Sequence, residues 1–351
     1  MTMERATTAD AGADERTALR DSIPVIDVTG LVEGDTGALE RVAEALREPC
    51  RRTGIFHVTG HGVPAAELDD FDRAMRAFFA LPREAKRALR RTRHNAWGYY
   101  DEELTKNRPD WKEVFDYGAE RGEGEAQPAH SDGRNQWPEA LPELRPVLLR
   151  HHAACDRVAQ AILRAIALSL GFEADRFAPF FDRHSGFVRL NRYPRCDDPA
   201  PPDADWFPER GHLGVHHHTD AGAITLLYQD RVAGLQAWLD DRFVVVEPVE
   251  GAFTVNLGDM LQVWSNDRYR SPIHRVLASA GEERYSAPYF LNPSYETVCE
   301  PLLEAGAAHE PARFRPISWA HFRDQRSAGD YADYGAEIQI EDYRIGGHRV
   351  R

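Results

Sequence analysis

The sequence predicts a mainly β protein with flanking α-helices, its strands gathered into a jelly-roll or barrel. Three observations point there. From Gly186 onwards the chain breaks into short β-like runs, evenly spaced and separated by Gly, Asp, Asn and Pro, a texture of antiparallel all-β architectures rather than of an alternating parallel α/β sheet. The first half instead carries apolar residues at helical spacing. The 351 residues, 42% of them hydrophobic, suffice for one large β-rich domain with appended helices or for two smaller ones.

Residues 1–20 are polar and aperiodic, the composition of a disordered leader. Ordered structure is expected to open with a short strand at 23–27. A helix follows over 37–52, with Leu39, Val42, Leu46 and Cys50 on one face and Gly54 as its stop. Residues 55–58 read as a strand and 60–64 as a turn. A second helix over 65–80 aligns Leu68, Phe71, Met75, Phe78 and Phe79, an apolar stripe for the core. Residues 118–137 have no period and predict a long surface loop, able to serve as part of a lid over a site. A third helix over 140–170 carries Leu148, Cys155, Val158, Ile162 and Ile166 and ends at Gly171.

Strands are then expected at 186–193, 215–220, 223–229, 234–239, 242–247, 252–256, 260–264, 273–278 and 284–291. After Pro293 the chain turns helical and polar again. The organisation predicted is therefore a leader (1–20), a helical and strand region (21–137), a helix plus β core (138–316), and a tail (317–351) able to fold back over the mouth of the core.

Composition excludes several functions. A net charge of −14, from 57 acidic and 43 basic side chains, opposes binding to a phosphate backbone, so no nucleic-acid partner is expected. The longest apolar stretch, 161–172, is too short for a membrane helix and contains Arg164, so no membrane partner is expected either. The N-terminus lacks the apolar region of a secretory signal, and a cytoplasmic location is expected. Cysteines 50, 155, 196 and 299 form no Cys-x-x-Cys pair and read as free, buried thiols.

The chemistry concentrates around His-His-His-Thr-Asp at 216–220 and a separate histidine at 274. His218, Asp220 and His274 would supply two imidazoles and a carboxylate, the facial set that holds Fe(II) and leaves coordination positions open. His218 and Asp220 are two apart and share one strand face. His216 shares that face too, but only His218 pairs with Asp220 across one residue, so His212, His216 and His217 are left as solvent-facing or supporting residues. A His-x-Asp tripeptide alone is weak evidence in a chain with 15 histidines.

Arg284 and Ser286 again share a strand face, and a guanidinium with a hydroxyl suits a carboxylate; an internal salt bridge is the competing reading. Asn191 and Tyr193 lie on one face of an earlier strand and could donate toward the same anion.

With these motifs in view, the chain resembles the isopenicillin N synthase-like branch of the Fe(II)/2-oxoglutarate-dependent dioxygenases. The resemblance runs from 23–27 through the Gly-Ile-Phe-His-Val-Thr-Gly-His-Gly-Val stretch at 54–63, Asp-Trp-Lys-Glu at 110–113 and Asn-Gln-Trp-Pro at 135–138. It continues through Asn-Arg-Tyr-Pro at 191–194, His-Thr-Asp at 218–220, 252–266 and Arg-Tyr-Ser at 284–286. It implies a double-stranded β-helix core of the cupin kind, with Fe(II) on His218, Asp220 and His274. It further implies 2-oxoglutarate on Arg284 and Ser286, supported by Tyr193 and Asn191, and O2 as the other co-substrate. Arg192 stands where relatives more often have Tyr, and is expected to face away from the site. Substrate-contacting positions in relatives map to Val114, Asp116, Arg189, Phe290 and Asn292, while Trp97, Tyr99 and Phe115 are open to either a packing or a substrate role.

The implied reaction is hydroxylation of a small metabolite, held in a mostly apolar barrel mouth with a few polar anchors, with release of succinate and CO2. Asp220 disfavours halogenation, whose catalysts lack that carboxylate. Two alternatives remain at this level: an oxidase or cyclase of the same fold that does not use 2-oxoglutarate, and a non-catalytic, metal-binding cupin-like protein. Oligomeric state is not indicated.

Overall fold

A computed structural model describes residues 23–92, 94–120, 134–303, 310–330 and 335–346. The expected leader and most of the 118–137 loop lie outside the described residues. Fourteen strands build the two main sheets and one hairpin. They are β1 (Val25–Asp27), β2 (Ile55–Thr59), β3 (Gly98–Tyr100), β4 (Leu104–Thr105), β5 (Arg108–Pro109), β6 (Glu113–Gly118) and β7 (Phe187–Tyr193), then β8 (Leu213–His218), β9 (Ile224–Gln229), β10 (Leu235–Leu239), β11 (Arg242–Val245), β12 (Phe253–Leu257), β13 (His274–Leu277) and β14 (Arg284–Leu291). The larger sheet runs β1-β2-β12-β9-β14-β7-β6-β3 and the smaller β11-β10-β13-β8. Only β1 and β2 pair in parallel; the other pairings in these sheets are antiparallel.

Strand alternation separates two cores. Tyr193 and Leu227 of the larger sheet meet Val215, Leu235, Ala237, Val244 and Val276 in an apolar cluster between the sheets. Their neighbours Leu190 and Leu226 belong to a second cluster shared with the helices. The long helix Leu144–Ser169 packs on helices Thr36–Arg52 and Ala65–Phe79 and on β9 and β14, so it backs the larger sheet.

Local signals explain the helix ends. Asp35 caps Thr36–Arg52 by accepting from the Ala38 amide. Gly54 follows at φ +68°, where a Cβ would stand 2.0 Å from the Arg270 carbonyl oxygen.

The structure departs from the sequence reading at 260–264, which is not a strand but part of a short helix, Asp259–Trp264. Met260, Leu261, Val263 and Trp264 are all buried, and a run buried on every side carries no period to tell helix from strand. β6 was not foreseen for a related reason. Its six residues are all buried, Glu113 and Asp116 through ion pairs, so hydrophobic alternation is absent. The four cysteines are free and buried. Among the described residues no helix is long and apolar enough to cross a membrane.

Candidate metal centre

β8 ends on His218 and β13 begins on His274, and the two are cross-strand partners in the smaller sheet. Asp220 lies two residues past the strand end. One ligand atom from each of the three residues falls within 4.8 Å of the others; the Asp220 Oδ1 atom is 3.8 Å from His218 Nε2 and 3.7 Å from His274 Nε2. Three donors facing one point at this spacing suit a transition-metal ion.

The outer contacts fix which atoms face inward. His218 Nδ1 is 2.8 Å from the His216 carbonyl oxygen and His274 Nδ1 is 3.1 Å from that of Pro272. Each Nδ1 therefore carries the proton and donates, leaving Nε2 with its lone pair toward the centre. Asp220 Oδ2 accepts from Thr225 Oγ1 at 2.5 Å and from Asn256 Nδ2 at 2.7 Å, which frees Oδ1. Burial, reinforced by His274, pushes the His218 imidazole down to about 3, so it is neutral at ordinary pH. Burial opposes ionisation of Asp220, but the neighbouring His274 and His218 rings together with the hydrogen bonds from Asn256 and Thr225 hold the carboxyl below its usual range.

A second set of polar groups lines the inner face of the larger sheet. Arg284 pairs across strands with Tyr193, and Ser286 with Asn191 on one side and Gln229 on the other. The Arg284 guanidinium is 5.0 Å from the centre of the Tyr193 ring, and Gly214 clears the space that ring needs, since a Cβ there would lie 2.7 Å from Tyr193 Cδ1. Arg284 is 2% exposed. It donates to Gln229 Oε1 at 2.8 Å and to Ser286 Oγ at 3.3 Å, and among the described residues its Nε has no hydrogen-bond partner. Both acceptors are neutral, and among the described residues Arg284 forms no direct ion pair, although its charge acts on the buried Asp230 carboxyl. Asp230 offsets part of the cost of burying this cation, and a bound carboxylate would give it a direct charged partner. Asn191 is buried, its side-chain amide 3.5 Å from the Arg189 carbonyl oxygen.

Next to the metal ligands lies a cavity of about 120 Å³. Of the residues expected to meet a substrate, Arg189, Phe290 and Asn292 line it; Val114 and Asp116 do not. Asp116 is instead held by Arg189 at 2.8 Å and Arg91 at 2.6 Å. The cavity also differs from the apolar mouth expected, for eight of its lining residues are charged. Most are mutually compensated: Glu103 meets Arg91, Lys112 and Arg189, and Lys112 also meets Asp110. The C-terminal segment closes one side. Arg326 of helix Trp319–Gly329 donates to the Thr219 carbonyl oxygen at 2.6 Å, and Glu337 bonds Lys106 of the β4–β5 turn at 2.6 Å. Sequence spacing could not have located these residues, because ion pairs between segments this distant leave no local pattern.

The neighbouring histidines have separate roles. His216 is buried, and Asp110 Oδ1 accepts from its backbone amide and approaches its Nδ1, both at 3.1 Å. His217 packs against Trp206 and Phe207 with Nδ1 3.1 Å from the Trp206 carbonyl oxygen. His212 is exposed beside Trp111. Arg192 points to an outer groove of about 730 Å³, where it pairs with Glu113 and Glu283. Trp97, Tyr99 and Phe115 all serve aromatic packing.

Comparison with known proteins agrees with this geometry. Residues 184–293 match the model of the 2OG-Fe(II) oxygenase superfamily, and residues 23–140 match that of the N-terminal region of the non-haem dioxygenases in morphine synthesis. The 2-oxoglutarate-Fe(II) type oxidoreductase hxnY of Emericella nidulans is 34% identical over 84% of this chain and 86% of its own. The Neurospora crassa T7H structure in complex with alpha-KG and thymine superposes with a TM-score of 0.73 at 28% identity, covering 87% of this chain and 96% of that one. JOX2 in complex with 2OG, Fe and JA gives a TM-score of 0.73 at 29% identity, over 88% and 86% of the two chains.

Proposed function

The chain belongs to the 2OG-Fe(II) oxygenase superfamily, and from that premise we propose that it hydroxylates a small-molecule metabolite, with His218, Asp220 and His274 holding Fe(II) and Arg284 and Ser286 anchoring 2-oxoglutarate. It is an oxidoreductase that uses Fe(II), 2-oxoglutarate and O2. The residues suit both groups: the three ligand atoms converge within 4.8 Å, and a buried guanidinium has two neutral hydrogen-bond acceptors and room for a charged one. The buried Arg284, whose hydrogen-bond acceptors among the described residues are both neutral, standing beside the converged ligand set is the observation that supports the reading.

Bound Fe(II) supplies the activation of O2, coupled to oxidative decarboxylation of 2-oxoglutarate. The balanced outcome is substrate C–H plus O2 plus 2-oxoglutarate to substrate C–OH, succinate and CO2. The protein's own part is positional. The His216 and Pro272 carbonyls orient the two imidazoles, and Thr225 and Asn256 hold the carboxylate. Arg284, Ser286 and the ring of Tyr193 would set the co-substrate's distal carboxylate. The acidic surface and a cavity of about 120 Å³ favour a small metabolite over a polymer.

The test is stoichiometry. Succinate is expected to form one-for-one with hydroxylated product; product formed without succinate would overturn the reading.

A further inference from the structure

Of the three metal ligands, Asp220 is the one that lies outside a strand. His218 closes β8 and His274 opens β13, and the two are cross-strand partners, whereas Asp220 stands in the loop between β8 and β9. Thr225 and Asn256 hold its Oδ2. Those bonds set how the carboxylate is turned, not where the backbone delivers it. Contacts from two directions hold that backbone. From one side, the Asp259 amide donates to the Asp220 carbonyl at 2.8 Å, and Asp259 Oδ2 accepts from the Thr219 hydroxyl at 3.1 Å. Asp259 opens the short helix Asp259–Trp264 just after β12 and is buried. From the other side, Arg326 Nη2 donates to the Thr219 carbonyl at 2.6 Å, from 107 positions further along the chain. Arg326 sits on helix Trp319–Gly329 and is 7% exposed. Its Nη1 donates to Gln339 Oε1 at 2.9 Å and to the Ile338 carbonyl at 3.3 Å. The carboxylates of Asp259 and Glu337 approach it to 3.9 Å.

We propose that Arg326 is a positioning residue of the metal centre: by gripping the Thr219 carbonyl it fixes where the backbone delivers Asp220, so that metal affinity depends on the docking of the C-terminal helix. The Thr219 carbonyl and the Asp220 amide belong to one planar peptide unit, so a hold on the oxygen orients the bond that leads into Asp220. A hydrogen bond from a cation is roughly twice as strong as a neutral one, and the planar fork lets one guanidinium serve the metal-ligand loop and residues 338–339 together. Without that grip the two Asp259 contacts remain and the loop stays folded. Oδ1 then loses the fixed placement that sets it 3.8 Å from His218 Nε2 and 3.7 Å from His274 Nε2.

The inference rests on the reading of His218, Asp220 and His274 as a metal site, and the experiment separates the two. Metal-free protein is titrated with Co(II), whose visible d–d bands report coordination geometry, and calorimetry gives the affinity. Arg326→Met keeps the length of the side chain but cannot donate. It is expected to bind Co(II) about tenfold or more weakly, the scale for losing a contact that orients a ligand, and to shift the d–d bands. Arg326→Lys keeps the charge and a donor, but its compact ammonium lacks the fork that spans Thr219 and Gln339, so it should fall between Arg326→Met and the parent. It also decides the matter if the methionine variant does not fold. Asn107→Gly loosens the C-terminal segment elsewhere, removing the side-chain bond to the Gly335 carbonyl at 2.9 Å from a position whose φ of +58° glycine accepts. It should leave Co(II) affinity and bands as in the parent. Either Arg326 variant with parental affinity and bands, or an equal band shift in Asn107→Gly, would overturn the proposal and leave the metal reading intact. A parent protein that takes up no Co(II), or unchanged bands after Asp220→Ala, would overturn the metal reading and the proposal with it.

Discussion

Arg284 donates to Gln229 Oε1 at 2.8 Å, and that contact begins a directed chain: Gln229 Nε2 donates to Thr254 Oγ1 at 2.9 Å, and Thr254 Oγ1 lies 3.1 Å from His57 Nδ1. Because the guanidinium can only donate, it fixes the Gln229 amide with its oxygen inward. The Gln229 NH2 then fills an acceptor position on Thr254, whose own proton goes to His57 Nδ1. Burial holds His57 down to about 4, so the ring is neutral and can accept.

This chain predicts graded effects on co-substrate affinity. Arg284→Gln removes the charge itself and should weaken 2-oxoglutarate by about 10- to 100-fold, the equivalent of one charge-assisted hydrogen bond. Gln229→Leu leaves the cation but loosens it, and should weaken 2-oxoglutarate by about 2- to 10-fold. Anaerobic calorimetry with Mn(II) in place of iron measures both; equal affinities in the two variants would show that Gln229 does more than orient.

The three adjacent histidines should separate by function. His218→Ala or Asp220→Ala should abolish stoichiometric iron binding and turnover. His216→Ala should retain both, since His216 supports His218 through a backbone carbonyl that alanine keeps. It should instead cost about 1 kcal/mol of stability by removing one side-chain contact to the buried Asp110, whose carboxylate keeps the His216 amide, Thr105 and Lys112 as partners. Iron content and urea unfolding read the two effects independently.

The difference between these histidines marks how far the sequence can be read. His218 and Asp220 were legible because a two-residue spacing on a strand is a local geometric fact. Arg284 and Ser286 were legible for the same reason. The strands from β7 to β14 announced themselves by turn spacing, except where the buried run at 260–264 concealed a helix. By contrast, Arg323, Asp330 and Glu337 reach the cavity only through the return of the C-terminal segment. Likewise Asp116 could be aligned with substrate positions in relatives, but nothing local shows that Arg91 and Arg189 occupy it.

Asp220 should depend on its two supports. Thr225 and Asn256 hold Oδ2 and leave Oδ1 for the metal, so Thr225→Val or Asn256→Leu lets the carboxylate rotate and removes compensation for a buried charge. Metal affinity is expected to fall about 10- to 100-fold, the usual scale for losing a hydrogen bond that orients a ligand. Competition with a chromophoric chelator measures it. Asn256→Asp should be worse than Asn256→Leu, because it sets a second carboxylate against Asp220.

Stability should fall on mild acidification. Burial pushes His57 and His217 down to about 4 and His151 down to about 3, whereas an unfolded histidine titrates near 6.5. Above about pH 6.5 both states are neutral and these groups contribute no pH dependence. Below it the unfolded chain takes up protons that the folded chain refuses until about pH 4 to 3, so each histidine destabilises the fold by up to about 1.4 kcal/mol per pH unit. Asp259, raised by burial to about 6, and Asp330, raised by burial and Glu103 to about 6, act in the opposite sense between pH 6 and 4. Buried His61 and His152 are shifted the same way as these three, so the histidines prevail over the raised carboxyls. His151 isolates the effect, for it is fully buried, stacks on Phe71 with ring centres 3.5 Å apart, and has an unpartnered Nδ1. His151→Phe keeps the stack and removes the titration. Its urea-unfolding free energy should therefore decline less steeply from pH 6.5 to 5 than that of the parent, by nearly one proton's worth; parallel slopes would mean that His151 is already charged in the folded protein.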